Sequence, residues 1–253
     1  IIILAGEHQS IMKKIKALKY KKPELSIILP CFNESKNLKK IFKRIQFINK
    51  KYQISIEYIF VDNGSKDETH HLIKMFAAKN ILQNIKLIKI KKNIGYGNGI
   101  YKGILTAKGF YITWTHADLQ SDILDCIFAL TKIKKFSGKI FIKGKRINRN
   151  KFDSFFTKIM SLFIRLYLGY NLKDINGQPK LFDKNFKRLI KKPPKDFSFD
   201  LFCLILAKKN NYSLKTIDVN FGKRVFGTAK GGGSIFGKIK LSLKTFLYIL
   251  RIK

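Results

Sequence analysis

The sequence predicts an α/β protein: a mostly parallel sheet flanked by helices. Three observations carry that expectation. Short apolar runs rich in Ile, Leu, Val and aromatics alternate with segments whose apolar residues recur at helical spacing, the pattern of strands joined by crossover helices. Each polar cluster in the first half falls directly after an apolar run, at the strand ends where open α/β sheets bind ligands. The chain has 253 residues, 45% of them hydrophobic, enough to bury a core without staples.

The elements follow in order. Residues 1–22 read as a basic leader ended by Pro23. Residues 25–29 (Leu-Ser-Ile-Ile-Leu) lie between prolines and read as a buried strand. Asn33-Glu-Ser-Lys opens a helix with Leu38, Ile41, Phe42 and Ile45 on one face. A second strand over 56–61 stops at Asp62-Asn-Gly-Ser65, and Asp67 starts a helix carrying Leu72, Ile73 and Phe76. A third strand over 85–90 precedes Asn93-Ile-Gly-Tyr-Gly-Asn-Gly99, a glycine-rich turn into a helix ending near Lys108. A fourth over 110–114 ends at Thr115-His-Ala-Asp-Leu-Gln120.

The second half is less regular. A strand over 139–143 leads to the basic run Gly144-Lys-Arg-Ile-Asn-Arg149, read as a glycine-bearing loop. Phe152, Phe155, Phe156, Ile159, Leu162, Phe163 and Leu166 have helical spacing, and Gly169 ends that helix. Asp174 to Lys180 is a loop, 199–210 a helix and 214–219 a last strand. A basic glycine loop over 223–233 precedes a helix with Ile235, Phe236, Ile239, Leu243, Phe246, Leu247 and Leu250 as its apolar stripe. The expected organisation is one domain over 23–232 and a basic amphipathic helix over 233–253.

Composition narrows the function classes. Lys and Arg total 52 against 16 Asp and Glu, a formal net charge of +36. Such a charge favours polyanionic partners: nucleic acid, phosphorylated ligands or an anionic membrane face. A Lys-, Ile- and Asn-rich source composition would produce the same excess. Cys31, Cys126 and Cys203 are widely spaced, which argues against a disulfide framework or zinc site and for a reducing setting. His8, His70, His71 and His116 form no metal motif. No apolar run reaches the ~18 residues that span a bilayer. The chain opens with Ile-Ile-Ile-Leu and not Met, read as a partial start, without the charged n-region of a signal peptide.

Scarce acids at strand ends are the first candidates for chemistry. Asp62 and Asp118 can hold a ribose, a base amide or a divalent cation, and Mg²⁺ takes one or two carboxylates plus substrate phosphates. Asp67 can equally cap the following helix. His116 projects from the turn of Asp118. The glycines at 95–99 let backbone approach a phosphate or simply make a turn. Arg146, Arg149, Arg224 and Lys230 suit diphosphate oxygens.

These motifs together resemble family 2 glycosyltransferases of the GT-A fold. Pro30-Cys-Phe-Asn-Glu34 resembles their P-x-[YF]-N-E opening, and Val61-Asp-Asn-Gly-Ser-Lys-Asp67 their V-D-[DN]-G-S-x-D. Asn93-x-Gly95 with Gly99 and Gly103 resembles their N-x-G-x-x-x-[AG] entry to a helix. His116-Ala-Asp-Leu-Gln120 resembles the D-A-D-L-Q of the polyprenol-phosphate sugar transferases. Asp174-x-x-Gly177-x-Pro-x-Leu-Phe182 is similar to D-x-x-[ST]-G-F-R-x-[FL], and Arg224-x-x-Gly227-x-Ala-Lys230 to R-x-x-G-x-S-K. Six motifs stand in family order from residue 25 to 232.

The resemblance implies a sugar transfer from a nucleoside diphosphate sugar, with inversion, to polyprenyl phosphate or a surface-glycan acceptor. Pro30, Phe32, Glu34, Asp62, Asn63, Asn93 and Ala117 are then expected at the nucleotide sugar. Asp118, with Gln120 and His116, is expected at Mg²⁺ or Mn²⁺. Arg146, Arg224 and Lys230 are expected at phosphates, and Asp200, then Asp174, as base for a hydroxyl acceptor. The amphipathic helices and the charge imply peripheral attachment to the cytoplasmic face of an anionic membrane. Two departures stand out: His116 replaces an acid, and Gly177-Gln-Pro replaces Gly-Phe-Arg. Two other readings remain at this point: a silent nucleotide-sugar binder, and a nucleic-acid-binding protein suggested by charge alone, without an RNP motif, zinc finger or helix-turn-helix.

Overall fold

The computed structural model describes residues 22–80, 83–148, 151–222, 224, 226 and 235–251. Of the expected leader only Lys22 falls within them; Arg149 and Lys230 lie outside. The strands are β1 (Leu25–Cys31), β2 (Ile56–Asp62), β3 (Asn84–Lys89), β4 (Tyr111–Trp114), β5 (Ile140–Ile147), β6 (Lys180–Asp183) and β7 (Ser213–Asn220). The helices are α1 (Ser35–Lys51), α2 (Thr69–Lys79), α3 (Tyr96–Thr106), α4 (Leu124–Ile133), α5 (Lys151–Leu168), α6 (Lys184–Leu189), α7 (Phe199–Lys209) and α8 (Ile235–Arg251).

The strands form one sheet in the order β3-β2-β1-β4-β6-β5-β7. All pairings are parallel except the two that β6 makes, with β4 and with β5. Side chains alternate across a strand, so β1 feeds both faces. Leu25, Ile27 and Leu29 meet Leu38, Ile41 and Ile45 of α1 on one side, together with Ile127 and Leu130 of α4. Ile28 joins Ile100 and Ile104 of α3 and Phe199 and Leu204 of α7 on the other. A sheet covered on both faces explains why its central strands are nearly continuous in apolar residues.

The second half departs from the expected layout. Arg146 lies on a strand, because β5 runs on through Gly144-Lys-Arg-Ile147, paired in parallel register with Ile217 to Asn220. Backbone pairing with β7 does not require apolar side chains, so the basic run had no visible strand signal. Helix α4 was not expected although Cys126, Ile127, Leu130 and Ile133 fall at helical spacing; strand β6 and helix α6, of four and six residues, are too short for a distinct pattern. Asp183 caps α6 by accepting from the amides of Asn185 and Phe186. Gly169, at φ +71°, follows the last residue of α5 as expected. Helix α8 is docked on α5 through Phe163 and Phe246, whose rings lie 4.3 Å apart, and Ile249 is fully buried.

A buried carboxylate ties the sheet together at the end away from the polar loops. Glu57 of β2 accepts from Ser26 Oγ of β1, from the amides of Lys108 and Gly109 before β4, and from Lys86 of β3. Burial pushes its pKa up, but these four donors outweigh it and hold the value below the usual carboxylate range. Glu57→Gln should therefore cost ~2–3 kcal/mol near neutral pH. The sign follows from linkage: a folded-state pKa below the unfolded value adds stability above ~pH 4.3 that is lost as pH falls through the folded value. Urea unfolding of both proteins between pH 7 and 2 should show the gap closing in acid; a gap that stays constant contradicts the assignment.

Candidate active site

The side chains expected at a site gather at the carboxyl ends of β1, β2, β4 and β5. Pro30 and Cys31 end β1, Phe32 and Glu34 lie just beyond, and Asp62 ends β2 with Asn63 after it. Two residues hold the starts of α1 and α2 together: Asp67 accepts from the amides of Ser35 and Thr69, and Thr69 Oγ1 accepts from the amide of Glu34. Asp62 accepts from the Ser65 amide at 2.9 Å and meets His70 Nδ1 at 3.1 Å. Asn63 Nδ2 donates to Asn93 Oδ1 at 3.2 Å and to the Gly95 carbonyl at 3.0 Å. That orientation leaves Asn63 Oδ1 a buried acceptor without a partner among the described residues.

The glycine turn is shaped by close approach. Gly95 has φ +133°, and a Cβ there would stand 2.2 Å from the Lys195 carbonyl oxygen. The turn is thus clamped against the segment before α7, with the Asn98 amide donating to Lys195 O at 3.0 Å.

After β4 the turn places Ala117 and Asp118 in buried positions, with Leu119 at φ +62°. Asp118 Oδ1 accepts from the Gln120 amide at 3.0 Å, and Oδ2 accepts from Arg224 Nη2 at 2.7 Å. Arg224 also faces Glu34 Oε1 at 3.6 Å. Gln120 Nε2 donates to the Gly222 carbonyl, so this turn and the segment leading to Arg224 are joined twice, since the Gly222 amide donates back to Gln120 O. His116 is half-buried and its ring stacks on Tyr96 at 5.6 Å, and Tyr96 also stacks on Phe197 at 4.7 Å. Burial holds the His116 imidazole below its ordinary pKa.

A second set of charges lies beside the Tyr96 hydroxyl. Asp200, in the first turn of α7, is 1% exposed. It accepts from both Lys180 Nζ, at 3.2 Å, and Gln178 Nε2, at 3.0 and 3.2 Å. The Tyr96 hydroxyl accepts from Gln178 Nε2 at 2.9 Å and stands 3.5 Å from Asp200. Asp174 accepts from the amide and side chain of Arg146, which holds its carboxyl below the usual range against the upward push of burial. Lys143 Nζ donates to Asp174 O and Lys180 Nζ to Gly177 O, both at 3.1 Å. Burial, then the neighbouring Lys180, pulls Lys143 down to about 8.

The charges at these strand ends therefore fall into two groups. On one side Glu34, Asp62 and Asp118 are carboxylates with Arg224 set between two of them. On the other, Lys143, Arg146 and Lys180 accompany Asp174 and Asp200. The first side suits a cation together with the anion it carries, and the second suits an anion. Tyr96, Lys143, Gln178 and Lys180 were not expected from sequence. A lysine between Pro179 and Leu181 gives no sign of being buried in a chain this basic. The residues expected at the nucleotide sugar come together around Asn63 and Asp118, while Arg146 and Asp200 belong to the second set.

The sheet and this strand-end site define a glycosyltransferase of the GT-A class. The chain belongs to glycosyl transferase family 2, whose family model matches residues 26–198. It is 29% identical over 219 residues to a dolichyl-phosphate beta-glucosyltransferase of Dictyostelium discoideum, covering 78% of this chain and 66% of that protein. It is 23% identical over 235 residues to a dodecaprenyl-phosphate galacturonate synthase of Rhizobium johnstonii, covering 91% and 68%. Its fold matches that of glucosyl-3-phosphoglycerate synthase from Mycobacterium tuberculosis, solved with Mn²⁺, UDP and glucosyl-3-phosphoglycerate, with a TM-score of 0.67. That match is 14% identical and covers 94% of this chain and 82% of the other. The chain thus spans about two thirds of the length of the two curated relatives.

Proposed function

We propose that the chain moves a sugar from a nucleoside diphosphate sugar onto a polyprenyl phosphate, with inversion, at the cytoplasmic face of a membrane. The observation that carries the choice of acceptor is the engagement of the carboxylates. Asp118 is paired with Arg224, Asp174 with Arg146, and Asp200 with Lys180 and Gln178. A sugar hydroxyl needs a base in reach to take its proton. A phosphate monoester arrives ionised and needs none. The dolichyl and dodecaprenyl phosphates in the relatives' names are acceptors of this class.

In this reading the donor lies along Pro30, Phe32, Glu34, Asp62, Asn63, Asn93 and Ala117, with Asn63 Oδ1 free to accept from the base. Arg224 meets the diphosphate. An acceptor phosphate oxygen attacks the anomeric carbon as the bond to the diphosphate breaks, through an oxocarbenium-like state. Arg146, backed by Lys143 and Lys180, draws the acceptor phosphate to its place. The residues fit a divalent cation shared with the donor, since Asp118 supplies one carboxylate and Gln120 and His116 flank it. Bound there, Mg²⁺ or Mn²⁺ neutralises charge growing on the leaving diphosphate. The test is release of nucleoside diphosphate from UDP- and GDP-sugars with Mn²⁺, offered a short polyprenyl phosphate or the corresponding alcohol. Release is expected only with the phosphate. Equal transfer to hydroxyl acceptors would move the function to glycan extension, and no release with any pair would leave a silent nucleotide-sugar binder.

Membrane attachment rests on α5 and α8. Phe155, Ile159, Leu162 and Leu166 are exposed on the first, Leu166 by 77%, and Ile239, Leu243, Leu247 and Leu250 on the second. Exposed Lys158, Arg165, Lys240 and Lys244 lie among them. No helix among the described residues is long and apolar enough to cross a membrane. An anionic lipid surface matches both the apolar stripes and the cations. The chain should bind anionic vesicles, and high salt should weaken but not abolish the binding, because screening acts on charge and not on apolar burial. Leu243→Glu with Leu247→Glu should weaken the salt-resistant part and spare UDP binding. Complete release of the native chain at high salt contradicts apolar insertion.

A further inference from the structure

We propose that Arg224 and the divalent cation compete for the Asp118 carboxylate, so that the chain takes up the cation together with a nucleoside diphosphate and not by itself. Three observations support this. Arg224 Nη2 lies 2.7 Å from Asp118 Oδ2 and Nη1 3.6 Å from Glu34 Oε1, so one guanidinium bridges two carboxylates at the place expected for the cation. The pair is well shielded, with side chains 20% and 9% exposed, so a cation must displace a charge-assisted hydrogen bond to reach Asp118. Lastly, no group of three or more His, Cys, Asp or Glu that could hold a metal occurs among the described residues.

The third point fixes the direction of coupling. His116 has taken the place of the family's first acid, and its ring is stacked on Tyr96. Asp118 and Glu34 offer a bare cation two carboxylates with a guanidinium already set between them, too little to displace the arginine and to replace the cation's own hydration. A diphosphate changes both sides of the competition. Its oxygens complete the coordination of the cation. They also give Arg224 a new partner suited to a planar fork. The Arg224 Nε is buried and has no hydrogen-bond partner among the described residues, a donor left over for such an oxygen. Arg224 thus passes from Asp118 to the diphosphate as the cation passes onto Asp118. The diphosphate half of this exchange rests on the proposed donor; the competition itself does not.

The test is Mn²⁺ binding followed by the electron paramagnetic resonance signal of the free ion, with and without UDP, for the native chain, Arg224→Gln and Arg224→Lys. Without UDP, Arg224→Gln should bind Mn²⁺ at least tenfold more tightly than the native chain, and Arg224→Lys should fall between. UDP should tighten Mn²⁺ binding strongly for the native chain and much less for Arg224→Gln. If Arg224→Gln, with a melting temperature near native, binds Mn²⁺ alone no more tightly than the native chain, the competition is overturned. If Arg224→Gln gains affinity but UDP does nothing for the native chain, the competition stands and the donor reading fails.

Discussion

Asp118→Asn should lower sugar transfer on the order of 10²–10³-fold while the chain keeps its melting temperature within a few degrees. Asp118 is the one acid in the turn that follows β4, and Asn is close to it in size. The Gln120 amide can still donate to the Asn oxygen, so the turn at Leu119 keeps its support. The formal charge disappears, and with it the attraction for a divalent cation and for Arg224. Arg224 retains Glu34 at 3.6 Å, which spares the fold a stranded cation. Mn²⁺-dependent UDP binding and single-turnover rates check this together. Transfer at the native rate would remove Asp118 from the chemistry altogether.

The second large effect concerns stability. Asp200→Ala should destabilise the chain by about 3–5 kcal/mol, because it leaves a buried ammonium without its counter-ion. Lys180 is fully buried, and its other contacts are the Gly177 carbonyl and the face of Trp114, 5.9 Å from the ring centroid. Gln178 Nε2 loses its carboxylate partner in the same substitution. Replacing both charges, Asp200→Leu with Lys180→Met, should recover more than half of the loss, since apolar groups of similar volume avoid the unpaired charge. Urea unfolding of the two single variants and the pair gives the coupling directly. A loss under 1 kcal/mol for Asp200→Ala would return Asp200 to the role of an accessible base.

The first half of the fold was legible because it obeys one rule repeatedly. Each of β1 to β4 is a short apolar run between polar punctuation, and each polar cluster lies at its carboxyl end. Asp62 and Asp118 were therefore expected at strand ends from sequence order alone, and Asn63 from the resemblance. The second half obeys no such rule. Strand β6 enters against its neighbours, and β5 continues through a basic run because β7 pairs with its backbone. Arg146 was consequently expected in a loop. The contacts of Tyr96 and Lys180 depend on segments that are distant in sequence: 82 residues separate Tyr96 from Gln178 and 20 separate Lys180 from Asp200. No local pattern encodes such meetings. Asp200 was expected as a base for a hydroxyl acceptor, and only the packing of α7 against β6 and the loop before it reveals its partner Lys180.

The division of the cleft by Tyr96 bears on how such a chain changes over evolutionary time. One half comes from residues 30–120 with a late return at Arg224, and the other from residues 143–200. The two are joined through the Tyr96 hydroxyl, which accepts from Gln178, and through the Asn98 amide, which donates to the Lys195 carbonyl. On the proposed assignment the first half holds the sugar donor and the second the acceptor. A chimera that keeps the chain through β4 and imports the segment from β5 through α7 of a relative should retain its nucleotide preference and adopt the acceptor of the graft.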